Sequence, residues 1–162
     1  MTKEKYTLFY GISSPFSQFH PSPFVLKGKS FKCAEQYYAY KKARVFGDHV
    51  IAKKIMSSKS PRKMKMLGRK VSGFDEGKWR KRCRHVVRKA SIAKYTQNDK
   101  LRRKLFQTAG TVLVEASPWD RIWGIGLSKT DHRSLNKKLW RGNNWLGYIL
   151  TEVRDKLMQS ER

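Results

Sequence analysis

The sequence predicts a helix-dominated α+β domain with a small β-sheet. Three observations predict it. A long central stretch repeats apolar residues at three- and four-residue spacing, several shorter stretches carry helix start and stop residues, and the strand-like runs are few and short. No internal repeat and no Gly-, Ser- or Pro-rich linker divides the 162 residues, so one domain is expected across 1–162.

Residues 7–10 read as a strand, and residues 11–23, rich in Gly, Ser and Pro, as a loop. Phe24-Val25-Leu26 reads as a strand entering a turn at Lys27-Gly28-Lys29. From 33 to 46 the pattern becomes helical, and Gly47 suits its end, because glycine adopts the left-handed conformation found just past a helix. A second helix is expected over 48–56. Ser60-Pro61 opens a third, with Ser as N-cap and Pro at the first helical position, and Gly68 closes it. The clearest helix covers 76–95. There Trp79, Cys83, Val86, Val87, Ala90 and Ala93 form one apolar stripe, while Arg80, Arg84 and Arg88 recur every four residues on another face. Asn98 or Asp99 can cap a further helix through Phe106. Residues 111–115 read as a buried strand, 128–144 as a basic loop, and Asn143 or Asn144 as the cap of a final helix to about Gln159.

The chain has 37 Lys+Arg against 12 Asp+Glu, a formal net charge of +25. Such a charge repels itself and points to an anionic partner: nucleic acid, a nucleotide or an anionic membrane. Hydrophobic residues make up 39%, enough for a packed interior rather than a disordered chain. Cys33 and Cys83 are isolated and read as buried thiols, and His20, His49, His85 and His132 are scattered, so no metal site is expected. No stretch is apolar enough to span a bilayer, and residues 1–6 lack the apolar run of a signal peptide. An intracellular protein, cytoplasmic or nuclear, without a membrane association, is the expectation.

With so few carboxylates, those beside aromatic residues carry information. Glu35, Tyr38, Ala39, Lys42 and Phe46 share one helix face, where an acid, a phenol and an amine can grip and protonate a sugar-linked base; the competing reading is a surface ion pair across two turns. Asp120 stands between Trp119 and Trp123, and Gly124 and Gly126 allow close backbone approach; the competing reading is a turn packed by its own aromatics. The loop carrying Phe16, Ser17 and Phe19 can line a pocket or plug the core. The arginine face of the long helix, Arg80, Arg84 and Arg88, is a candidate phosphate-tracking surface, although charge runs are usually solvated faces.

Taken in order, these segments resemble the NADAR (YbiA-like) family. The resemblance rests on Phe9-Tyr10-Gly11, Ser14-Pro15-Phe16-Ser17-Gln18-Phe19, Lys32-Cys33-Ala34-Glu35-Gln36-Tyr37-Tyr38 with Lys42-Ala43, Leu67-Gly68-Arg69, Trp79, Glu115-Ala116-Ser117-Pro118, Asp120, Trp123-Gly124-Ile125-Gly126 and Asn143-Asn144-Trp145-Leu146-Gly147. It runs from about residue 9 to 157 and implies a YbiA-like fold with its core over about 7–158. It implies a hydrolase of N-glycosidic bonds that needs no cofactor and no metal. Members act on ribosylaminopyrimidine phosphates of riboflavin biosynthesis or remove ADP-ribose from modified guanine in nucleic acid. Motif position implies catalytic roles for Glu35, Trp79 and Asp120. It implies substrate binding by Phe16, Lys42, Arg69, Trp123, Gly124 and Asn143, to which the aromatic loop and helix face add Ser17, Phe19 and Tyr38. Four positions depart from the family pattern: Gln18 stands where Asn is usual, Gln36 where His is common, and Ala39 and Lys41 where glutamine is frequent.

The charge favours ADP-ribosylated nucleic acid, since Lys and Arg contacts to phosphates supply sequence-independent affinity. A ribosylaminopyrimidine phosphate and a non-catalytic ADP-ribose or nucleic-acid reader are the alternatives. A monomer is expected.

Overall fold

The structure, a computed structural model, describes residues 3–162; of the stretch 1–6 read for a leader, Met1 and Thr2 lie outside the described residues. The chain divides into two units. The first is built from both chain ends, Met1–Ser17 and Arg102–Arg162, and the second from Gln18–Leu101.

The second unit holds β2 (Phe24–Leu26), β3 (Lys29–Phe31), α1 (Ala34–Val45), α2 (His49–Ser57), α3 (Pro61–Gly68) and α4 (Glu76–Thr96). Three of the helices start on side-chain caps. Asp48 accepts from the Ile51 N–H, Ser60 from Lys63 and Asp75 from Lys78, each satisfying a donor that the first turn leaves without a helical partner. The α1 helix packs against α2, α3 and α4. It can do so because its inward positions are small: Ala34, Ala39 and Ala43 are buried, and an ideal Cβ on Gly68 would stand 3.2 Å from the Ala39 Cβ. Cys33, Ala52, Ile55, Met64 and Val71 complete that core, in which burying a side chain such as Ile55 or Met64 is worth about 1.5–3 kcal/mol. Both cysteines are buried and free.

The β3 strand is absent from the sequence reading, which has only a turn there. Lys27 (φ 49°) and Gly28 (φ 77°) reverse the chain so tightly that Phe24 pairs with Phe31, and the two rings stack at 5.7 Å with Tyr37 against both. The expected small sheet is therefore two separate pairs, β2–β3 antiparallel here and a parallel pair in the first unit.

The first unit contains that parallel pair, β1 (Tyr6–Phe9) with β4 (Val112–Glu115), in register from Tyr6↔Val112 to Phe9↔Glu115. It also contains two 3₁₀ turns, His132–Leu135 and Lys137–Leu139, inside the expected basic loop, and α6 (Trp145–Ser160). Helix α5 (Asp99–Phe106) crosses the boundary between the units. Asn144 precedes α6 as expected, but its side chain does not cap the helix. The residue is fully buried with φ 52°; its Oδ1 accepts the Glu115 N–H at 3.0 Å and its Nδ2 donates to the Leu113 carbonyl at 3.0 Å. The α6 donors are met by backbone instead, Trp145 N–H by Ile122 O and Leu146 N–H by Trp123 O. Asn tolerates the left-handed conformation and carries both a donor and an acceptor, so one residue satisfies the turn and the strand.

Asn144→Ala is expected to lower stability by about 2–3 kcal/mol, read as a shift in the urea midpoint, because it strands two buried backbone groups. Lys94 on α4 gives a second prediction. It is 1% exposed, and burial pushes its ammonium down to about 7. The unfolded chain returns it to the ordinary lysine range near 10.4. Below pH 7 the folded state therefore bears the full penalty of a buried charge, and the penalty fades as pH rises towards 10. Lys94→Met is expected to be more stable than the wild type at pH 6.5, with the gap closing by pH 9.5; a gap that ignores pH would contradict this.

Candidate active site

The expected site residues fall into two groups, one on each unit, and each group is organised by its own backbone.

In the second unit the group is built on α1. Glu35 lies in its first turn, where the positive end of the helix dipole favours a carboxylate, and it is 9% exposed. Its backbone N–H donates to the Gln18 carbonyl at 3.0 Å, which ties the start of the helix to the aromatic loop. One turn on, the Tyr38 hydroxyl accepts the Trp79 indole N–H at 3.0 Å, with the rings edge to face at 5.2 Å. Trp79 is 5% exposed and packs also on Phe46 at 6.4 Å. It is a wall with its one donor engaged. Lys42, a turn further, places its Nζ 4.4 Å from the centroid of the Phe74 ring. Burial pushes the Lys42 ammonium down, Glu35 pulls it back up and the charge of Arg69 pushes it down again, so these three charges sense one another. Arg69 itself is exposed, at the C-cap of α3. Phe19 has the Lys65 Nζ at 5.8 Å from its ring. The structure thus brings Glu35, Tyr38, Lys42 and Trp79 together on α1 and α4, an acid and an amine in a partly aromatic setting.

Phe74 is the member that the sequence reading missed. It precedes the N-cap Asp75 of α4 and meets Phe46 at 5.3 Å. An aromatic residue just before an N-cap Asp is the signal that could have found it, since that position commonly packs back on a neighbouring apolar residue. Gln36, which departs from the family pattern, is turned away from this group. Its Oε1 accepts the Lys32 N–H at 2.7 Å and its Nε2 donates to the Ile55 carbonyl at 3.1 Å, so it fastens α1 to α2.

In the first unit the group is a laced pair of loop segments. Asp120 Oδ1 accepts the Ile122 and Trp123 N–H groups at 2.9 and 2.8 Å, so half of that carboxylate closes its own turn. The segment is then tied to 141–146. Arg141 N–H donates to Ile125 O, Asn143 N–H to Arg121 O, and Asn144 N–H to Gly124 O. Such closeness demands glycine: a Cβ on Gly142 would lie 2.3 Å from the Gly124 carbonyl oxygen, and one on Gly124 would lie 2.9 Å from that of Glu115. Trp123 meets Trp145 edge to face at 5.6 Å. Phe16 is buried against Phe9 at 5.6 Å, and Ser17 beside it is buried. Asn143 is exposed, and Trp119 is 85% exposed.

Of the arginine face on α4, Arg80 and Arg84 are exposed and Arg88 is half-buried, with Arg80 paired to Glu76 at 3.7 Å. Among the described residues no group of three or more His, Cys, Asp or Glu is placed to hold a metal ion, and no helix is long and apolar enough to cross a membrane.

The family model described as the NADAR domain matches residues 8–158. Protein irg-1 of Caenorhabditis elegans is 42% identical, over 94% of this chain and 79% of that protein. N-glycosidase R617 of Acanthamoeba polyphaga mimivirus is 36% identical, over 98% of this chain and all of that protein. N-glycosidase YbiA of Escherichia coli strain K12 is 33% identical, over 92% of this chain and 86% of that protein. The solution NMR structure of the Escherichia coli protein YbiA matches this fold with a TM-score of 0.80 and 30% identity, over 99% of this chain and 89% of that one.

Tyr38→Phe leaves the Trp79 indole N–H without its acceptor and is expected to lower stability by about 1 kcal/mol in urea unfolding. Trp79→Phe, which also removes part of the wall against Phe46, should cost more; an unchanged urea midpoint in Tyr38→Phe would mean that the hydrogen bond is not what holds the indole.

Proposed function

The chain belongs to the NADAR domain family, and from that premise we propose that it is an N-glycosidase that removes ADP-ribose from modified guanine in nucleic acid. Relatives that it matches over nearly its whole length are named N-glycosidases, and the chain is a hydrolase of that kind. The observation that carries the chemistry is Glu35, a nearly buried carboxylate at the head of α1 with Lys42 and Tyr38 on successive turns.

Breaking a ribose–nitrogen bond builds positive charge on the sugar as the base departs, a transition state like the oxocarbenium ion of glycoside hydrolysis. In this reading Glu35 stabilises that cation and takes a proton from the attacking water, whose oxygen forms the new bond to the anomeric carbon. The bonding pair of the broken C–N bond leaves with the base, which takes up one proton as Glu35 gives up the one it took from water, so the net reaction consumes one water. Lys42 carries the charge that Glu35 senses on the same helix, and Trp79 walls the site. The Asp120 Oδ2 is the carboxylate oxygen not committed to its turn. Arg69, exposed beside Lys42, is assigned to phosphate. Gln36 has no part in proton transfer here, because both ends of its amide are engaged by backbone. A small metabolite has no use for a net charge of +25, whereas a phosphate backbone does.

The test is hydrolysis followed by mass spectrometry, on an oligonucleotide carrying ADP-ribosyl-guanine and separately on a ribosylaminopyrimidine phosphate. Release of ADP-ribose from the oligonucleotide is expected, falling at least 100-fold in Glu35→Gln, about the scale of losing a general base. Turnover of only the small molecule would replace this substrate with the metabolic one. Binding without turnover of either would make the chain a reader.

A further inference from the structure

The net charge is not spread evenly over the second unit. Lys41 and Arg44 stand one turn apart on the outer side of α1, and Arg82 and Lys89 stand two turns apart on α4, which packs against α1. Lys27 joins them from the β2–β3 turn. Lys41 registers this convergence: burial pushes its ammonium down, and the charges of Lys27, Lys89, Arg44 and Arg82 push it further, with no carboxylate acting the other way. Lys27, Arg44 and Arg82 are exposed, and Lys41 and Lys89 are half-buried. Arg44 has a polar partner, His49 Nδ1 at 3.1 Å, yet none of the five makes an ion pair with a carboxylate among the described residues. Arg80, on the face that the sequence reading singled out, is paired to Glu76.

Five like charges drawn from three elements repel one another, and the fold holds them together without a counter-charge of its own. We propose that this α1–α4 seam, lined by Lys27, Lys41, Arg44, Arg82 and Lys89, is a docking track for the sugar-phosphate backbone of single-stranded nucleic acid. A single strand is the occupant chosen because a glycosidase acting on a base in nucleic acid needs that base outside the duplex stack. Seven residues of helix separate Arg82 from Lys89, about 10 Å along the axis. An anionic membrane is the weaker match, because surface helices that bind lipid insert a row of large apolar side chains beside their cations, whereas here Val25, near Lys27, and Ile92, one turn past Lys89, are isolated exposed apolar residues on different elements. The inference rests on the proposed function for its class of partner, but the binding is a property of the seam and is separable from turnover.

The experiment is fluorescence anisotropy with an unmodified, labelled 20-nucleotide single-stranded DNA over a series of salt concentrations. The seam variant Lys41→Gln/Arg82→Gln/Lys89→Gln is compared with Lys53→Gln/Lys54→Gln/Lys63→Gln, which removes the same charge from exposed positions on α2 and α3. The seam variant is expected to bind at least tenfold more weakly, and the slope of log K against log salt to become shallower by about 2, three cations at about 0.7 each. Glu35→Gln should bind as the wild type does. Circular dichroism checks folding, and Arg82→Glu, at an exposed position, carries the same comparison if the triple variant unfolds. Equal losses in the seam and control variants would overturn the proposal, as would binding to phosphatidylserine vesicles with none to the oligonucleotide. Hydrolysis of free ADP-ribosyl-guanosine should be unchanged in the seam variant. Absence of ADP-ribose release from the modified oligonucleotide in the wild type would sink the proposed function and leave the binding result standing.

Discussion

Everything that the second unit offers depends on α1 being enclosed on three sides. A helix can be hemmed in by α2, α3 and α4 only if its inward positions are short, and Ala34, Ala39 and Ala43 meet that condition, with Gly68 of α3 facing Ala39. Interiors are close-packed and resist a change of even a methylene. The same enclosure that makes α1 rigid takes Glu35 almost out of water and gives Tyr38 and Lys42 fixed aromatic neighbours. Gln36 shows how firmly the helix is held, because both ends of its amide are bonded to backbone of neighbouring elements.

The first unit solves a different problem, that of holding irregular backbone in place. Segments 120–126 and 141–146 have no sheet or helix to satisfy their peptide groups, so they satisfy each other and the head of α6. Glycines at 124 and 142 are the condition for that approach, and Asn144 links it to β4. The short polar motifs of this region are therefore first of all architecture. Asp120 illustrates the double duty: one carboxylate oxygen fixes the turn, which in turn fixes the direction of the other.

The excess of cations follows a third logic. A net charge of +25 opposes compaction, and the fold bears it by keeping most cations in water, where screening acts within about 10 Å. Lys94 and Arg154 are buried: burial shifts the Lys94 amine towards neutrality, and Arg154 is paired to Asp155 at 2.9 Å. The seam between α1 and α4 is the other departure from even dispersal, where like charges are gathered instead of separated.

The helices were legible in the sequence because their signals are local. Asp48, Ser60, Pro61, Asp75 and the apolar stripe of α4 act within a few residues, so composition and spacing determine where a helix begins and which face it buries. The resemblance that points to Glu35, Trp79 and Asp120 is likewise a matter of order along the chain. What spacing could not supply was which partner each polar group would meet. Gln36 bonding to Ile55, Asn144 turning to β4 rather than capping α6, Phe74 under Lys42 and the pairing of β2 with β3 all depend on residues brought together by the fold or on a turn of unusual backbone conformation. The sequence by itself determined the helices, their amphipathic faces and the chemistry available. Only the tertiary structure decided how that chemistry is placed, because hydrogen bonds and desolvation act over a few ångströms in space, whatever the distance along the chain.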